Sequence, residues 1–185
     1  MLHQWRLLPL VLIVASCAAP TRRIDFPLTD ETFQSADGVL HGRVPKGWFV
    51  STDIEVAPHL SSWLVREDYA ATLAFQEIFP DRDAANHIDK VGLSMLAELS
   101  FRLKQAEEPN AQITSLPREF TVQGKSFCRY EYVHDKQGVP RGVAVFAIRN
   151  RYFESVALPT KDTFSRHQLM GLFNLQEAVL GSLEP

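Results

Sequence analysis

The second half of the chain carries the pattern that most restricts the fold: four short β-prone runs separated by tight polar turns. They are Glu119 to Val122, Phe127 to His134, Gly142 to Arg149 and Tyr152 to Leu158, with turns at Gly124-Lys125, Lys136-Gln137-Gly138 and Asn150-Arg151. Parallel neighbours need crossovers of a dozen or more residues, so turns this short dictate an antiparallel meander. The first half adds Phe33 to Ser35 and Val39 to Val44 around the turn pair Asp37-Gly38, then Trp48 to Val50, Ser62 to Arg66 and Ala71 to Phe79. In the last of these, Leu73, Phe75 and Phe79 fall on one face with Glu77 among them. Such a sheet must be covered, and two segments with helical spacing supply the cover. From about Ala84 to Gln105, Ile88, Val91, Met95, Leu96, Leu99 and Leu103 recur every three or four residues; Asp81 or Asp83 can cap this helix and Glu107-Glu108-Pro109-Asn110 ends it. From about Phe164 to Ser182, a second stripe holds Leu169, Leu172, Phe173, Val179, Leu180 and Leu183. The expectation is an α+β domain: about six to eight antiparallel strands covered by a long mid-chain helix and a C-terminal helix.

The N-terminus belongs to a different grammar. His3 and Arg6 form a weakly basic head, and Leu7 to Val14 form an apolar run, interrupted at Pro9, far short of the ~20 residues a membrane span needs. Val14-Ala15-Ser16-Cys17 then resembles the lipobox of bacterial lipoproteins, in which an aliphatic residue and two small ones precede an obligatory Cys. The resemblance implies a signal peptide over residues 1–16 and lipidation of Cys17, with acyl chains such as palmitate. A thiolate is the nucleophile that takes a diacylglycerol near neutral pH, and the small neighbours admit the peptidase. Two or more chains give stable anchoring. Ala18, rather than Asp, follows the Cys, which implies the outer membrane in a diderm host. Residues 17–32, with Pro20, Pro27, Arg22 and Arg23 and no period, read as lipidated terminus and tether; 33–185 read as one globular domain. Processing moves the formal charge from -3 to about -4, too mild to point to nucleic acid.

The order of elements, with "RVPKGWFV", a long mid-chain helix, "VQGKSFCRYEYVHD", "GVAVFAIRNRYFESVALP" and a closing amphipathic helix, resembles the PsbP-like fold from about Phe33 onward. That family includes photosynthetic extrinsic proteins and bacterial lipoproteins. The resemblance implies an α/β/α sandwich and no particular activity, and none of the family's binding residues is carried over.

Chemistry-bearing motifs are sparse. Once Cys17 is acylated, Cys128 is the only thiol, and its alternation with Tyr130 and Tyr132 suits a buried small hydrophobe. Asp81-Arg82-Asp83 begins like a calcium loop, but Ala85 and Asn86 stand where a ligand and the turn glycine belong. His41, His59, His87, His134 and His167 are scattered without ligand spacing, so a metal set is unknown and would have to be assembled by the fold. Ser94 lacks the second Gly of a nucleophile elbow, Glu67-Asp68 are adjacent acids at a hairpin tip, and Gly124-Lys125-Ser126 is a turn rather than a phosphate loop. Arg129, Arg141, Arg149 and Arg151 are placed to form solvated charges or a cation-rich patch. The sequence therefore implies no catalytic residues and no cofactor. It reads as a membrane-anchored binding, accessory or assembly factor with a protein partner in the cell envelope or a photosynthetic complex. The alternatives are an envelope carrier of a small ligand or metal and, third, a hydrolase.

Overall fold

The computed structural model describes residues 26–52, 57–135, 138–161 and 163–184. The signal segment, Cys17 and the first part of the tether lie outside them. Seven strands form one antiparallel sheet: β3 (Trp48–Val50), β4 (Ser62–Arg66), β5 (Ala71–Ile78), β9 (Arg151–Pro159), β8 (Arg141–Ile148), β7 (Lys125–Val133) and β6 (Gln112–Val122), in that spatial order. A separate hairpin pairs β1 (Leu28–Gln34) with β2 (His41–Pro45). The class is α+β, as the meander dictates. β1 begins at Leu28, so the last five residues assigned to the tether, Leu28 to Thr32, are strand, held by pairing with Arg43 and Pro45.

One expected helix is two. α1 (Arg82–Val91) and α2 (Leu93–Glu107) meet at Gly92, whose φ of 99° is open to glycine and strained for other residues. Asp81 caps α1 by accepting from the Ala84 amide at 2.8 Å. α3 (Arg166–Ser182) starts in a capping box between Ser165 and Gln168.

The meander turns are tight. Gln123-Gly124 and Arg149-Asn150 both have positive φ at two successive residues, the handedness that fits two-residue hairpin loops. Each strand alternates between two layers. Phe33, Phe75, Phe127, Phe146 and Phe153 pack with α3 and the β1–β2 hairpin. Cys128, Tyr130, Tyr132, Val143 and Val145 pack with α1 and α2. β6 is an exposed edge, interrupted by Pro117 and by two register shifts between Ile113 and Arg118, devices that discourage a further strand from pairing there.

Three side chains depart from the expected faces, among them Val91, 52% exposed at the end of α1. Phe79 is 81% exposed, because β5 ends at Ile78 and the chain turns out of the sheet before Pro80. Leu103 is 47% exposed while Ser100, a polar residue, is fully buried, so the inward stripe of α2 runs through Leu96, Ala97 and Ser100.

Candidate functional site

Beneath α2, the sheet buries a carboxylate. Glu154 points inward from β9, and three side chains converge on it: Ser100 Oγ donates to Oε2 at 2.5 Å, Lys104 Nζ lies 2.5 Å from Oε1, and Gln76 Nε2 donates to Oε1 at 2.5 Å. Ser100 and Lys104 are four apart on one helix, which brings both to the same carboxylate. The Tyr130 hydroxyl joins through Ser100 at 2.7 Å, and burial, reinforced by the Glu154 charge, pushes its phenol well above the ordinary range. These polar atoms are consumed by one another, and Ser100, Tyr130 and Glu154 are out of contact with solvent. The arrangement fixes α2 on the sheet rather than presenting a reactive group. Sequence reading named only Tyr130, as a strand neighbour of Cys128, and passed over the other four residues. Their only signal is a Glu in an otherwise inward-facing position of an apolar strand.

Arg129, Arg141 and Arg151 are likewise paired. Arg129 reaches Glu177 at 2.6 Å and the Phe173 carbonyl at 3.1 Å, on the α3 face. Arg141 reaches Glu108 at 2.7 Å and the Tyr132 hydroxyl at 3.2 Å, on the α2 face. Arg151 bridges Asp37 at 2.6 Å and Glu77, with Nε at 2.6 Å from Oε1. A single patch is excluded because alternate positions on the strands send these arginines to opposite layers. Arg149 stands at the β8–β9 turn.

An accessible apolar opening lies at the end of the sheet where β6–β7 and β8–β9 turn. A cavity of about 470 Å³ is walled by Leu93 of α2, Phe127, Phe146 and Ile148 of the sheet and Leu183 after α3, with Lys125 and Arg149 beside them. Lys125 Nζ donates to the carbonyls of Gly181 (2.7 Å) and Leu183, capping the C-terminal end of α3. Burial lowers its pKa, and the Glu184 charge opposes that shift. The volume falls in the range of small-ligand and side-chain pockets, and the lining offers apolar contact with a cation at its wall. Cys128 lies elsewhere, fully buried under α2, its thiol pushed up to about 11 chiefly by burial. Ser94 is within α2, and Glu67 and Asp68 occupy the β4–β5 turn, where Asp68 grips Arg66 at 2.6 Å. Among the described residues no three or more His, Cys, Asp or Glu side chains are grouped to hold a metal ion. No described helix is long and apolar enough to cross a membrane.

A seven-stranded antiparallel sheet between a helix pair and a lone C-terminal helix is a PsbP-like fold. Among solved structures, the chain is similar to the cyanobacterial PsbP protein CyanoP of Synechocystis sp. PCC 6803, with a TM-score of 0.57 and 12% identity, covering 83% of this chain and 91% of that one. It is also similar to LpqN of Mycobacterium tuberculosis, involved in cell envelope biogenesis (TM-score 0.48, 16% identity, 84% and 90% covered). The Ran-binding protein Mog1p of Saccharomyces cerevisiae gives a TM-score of 0.48 at 14% identity, covering 85% and 95%. At these identities the likeness is one of fold. No protein-family model matches the chain, and no curated protein matches it.

Proposed function

We propose that this chain is a lipid-anchored, non-catalytic binding protein: an accessory or assembly factor of the cell envelope or of a photosynthetic complex. It is held through Cys17 with its domain in the periplasm and, in a diderm host, at the outer membrane by virtue of Ala18. The observation that carries the reading is the cavity at the end of the sheet. Buried polar groups such as Glu154 are spent on each other, whereas Leu93, Ala147 and Ile148 leave apolar surface open to a partner. An apolar pocket flanked by cations suits recognition, because burying a partner's side chain supplies affinity and the charges orient it.

The same cavity favours a second reading, a carrier of a small apolar ligand. One experiment separates them. A photo-reactive amino acid at Ile148 is irradiated in the native host and the adduct is weighed. A polypeptide adduct, absent when Ala147→Trp narrows the cavity, supports the accessory factor. A small-molecule adduct supports the carrier, and no adduct removes the ground for both. Acylation is tested by palmitate incorporation, expected in the native chain and lost in Cys17→Ser.

A further inference from the structure

We propose that the end of the sandwich opposite the cavity lies against an anionic lipid surface. The proposal rests on the reading of Cys17 as the anchor and adds an orientation to it. Strand registers define the two ends. Lys125, Ile148, Arg151 and Ile78 share one end with Leu183 and the cavity. Ala71, Pro159, Arg66 and Trp48 share the other, and Phe26 emerges there, lining an apolar notch of about 320 Å³ with Trp48, Leu172 and Leu175.

Length then decides which end meets the membrane. Phe26 stands nine residues after Cys17, and a coil of that length would have a root-mean-square span of roughly 17 Å. The eight residues of β5 separate the two ends by about 26 Å. The tether end is thus held at the bilayer at high effective concentration, so weak contacts there are populated.

Its side chains have the chemistry for such contacts. Tyr69 is 68% exposed and packs edge-on against Phe49 at 5.9 Å, an aromatic pair at the rim. Lys46, Lys161 and Arg166 are exposed, Lys46 lining the notch, and Arg66 lies over the Phe164 ring at 5.8 Å. In the adjoining β4–β5 turn Asp68 and Arg66 pair with each other, so Glu67 stands against Lys46, Lys161 and Arg166. Basic and aromatic residues together select anionic headgroups over zwitterionic ones.

The test couples the chain from Cys17 onward to maleimide-lipid vesicles through its Cys17 thiol, Cys128 being buried. Lysine acetylation is then mapped on phosphatidylcholine vesicles with and without phosphatidylglycerol. The expected result is several-fold slower modification of Lys46 and Lys161 on the anionic vesicles, abolished by high salt and by Arg66→Glu/Arg166→Glu, with Lys90 on α1 unchanged. Equal rates on both vesicles, or equal protection of Lys90, overturns the proposal. The mass of the Cys17 peptide from the native host tests acylation separately, so failure of the anchor and failure of the surface are distinct results.

Discussion

The two faces of one sheet are built by opposite means. Toward α3, rings interlock: Phe33 with Phe75 at 5.2 Å, Phe127 with Phe146 at 5.7 Å and Phe146 with Phe153 at 5.8 Å. Toward α2, the same strands present Tyr130, Tyr132, Cys128 and the buried Glu154, and the cover is locked by Ser100 and Lys104. An aromatic face gains stability in proportion to area and tolerates small misfits gradually. A buried polar face gains little on balance and is costly whenever one member is missing. The contrast implies that α3 supplies stability and α2 supplies register.

The largest test removes a ring from the aromatic face. Phe153→Ala is expected to cost about 4 kcal/mol through lost transfer energy and the cavity left behind, read as a lower urea midpoint with an unchanged slope. Next is Glu154→Leu, which leaves Lys104 buried beside no counter-charge and is expected to cost about 3 kcal/mol. The two faces separate at the second substitution. Adding Lys104→Met to Glu154→Leu is expected to recover most of the loss, since an apolar pair of similar volume replaces an ion pair at little net cost. A double variant as unstable as the single one would show that the network stabilises by more than mutual neutralisation.

The aromatic face was the legible one. Its strands alternate with period two and are punctuated by Gly-containing or Asn-containing turns, so the meander and its antiparallel order follow from residues 119 to 158 alone. The α2 face was misread for a physical reason. The apolar stripe counts Leu103 inward and passes over Ser100, which shares the face of Leu96 but is polar; only Glu154, 54 residues further on, gives its hydroxyl a buried partner. The hinge at Gly92 was invisible because apolar spacing continues across it from Ile88 to Leu96. The cavity had no local signature at all, since Leu93, Phe127, Ile148 and Leu183 come from four elements that only the fold brings to one end.

Gly142→Ala probes how tightly the α3 face closes. A Cβ there would sit 2.7 Å from the Phe173 ring, with Gly142 fully inside the layer. Overpacking is expected to cost about 2 kcal/mol, measured as a drop in Tm, and the ring has to move off β8. Gly124, at the opposite extreme, has open space around its Cβ position but a φ of 77°, so Gly124→Ala loses through backbone strain instead. If Phe173→Leu restores the Gly142→Ala variant and leaves Gly124→Ala unchanged, packing rather than turn geometry sets the limit on that face.

The smallest effect tests whether charge also ties the β1–β2 hairpin to the aromatic face. Asp37 accepts from Ser35 Oγ at 2.6 Å and from the Val39 amide at 3.1 Å, and it pairs with Arg151 at 2.6 Å. The Ser35 hydrogen bond first, then the Val39 amide and Arg151, lower its pKa to about 2. A carboxylate depressed in the folded state stabilises above its unfolded pKa of 3.8, and that contribution disappears as pH falls through the folded value. Its side chain is 46% exposed, so solvent screening keeps the contribution under about 1 kcal/mol. Between pH 4 and pH 2, Asp37→Asn is therefore expected to lose stability less steeply than the native chain, while at neutral pH it starts slightly lower. Curves that run parallel across that window would mean that Asp37 adds nothing to the apolar contacts of Phe33, Leu40 and Val44 in holding the hairpin.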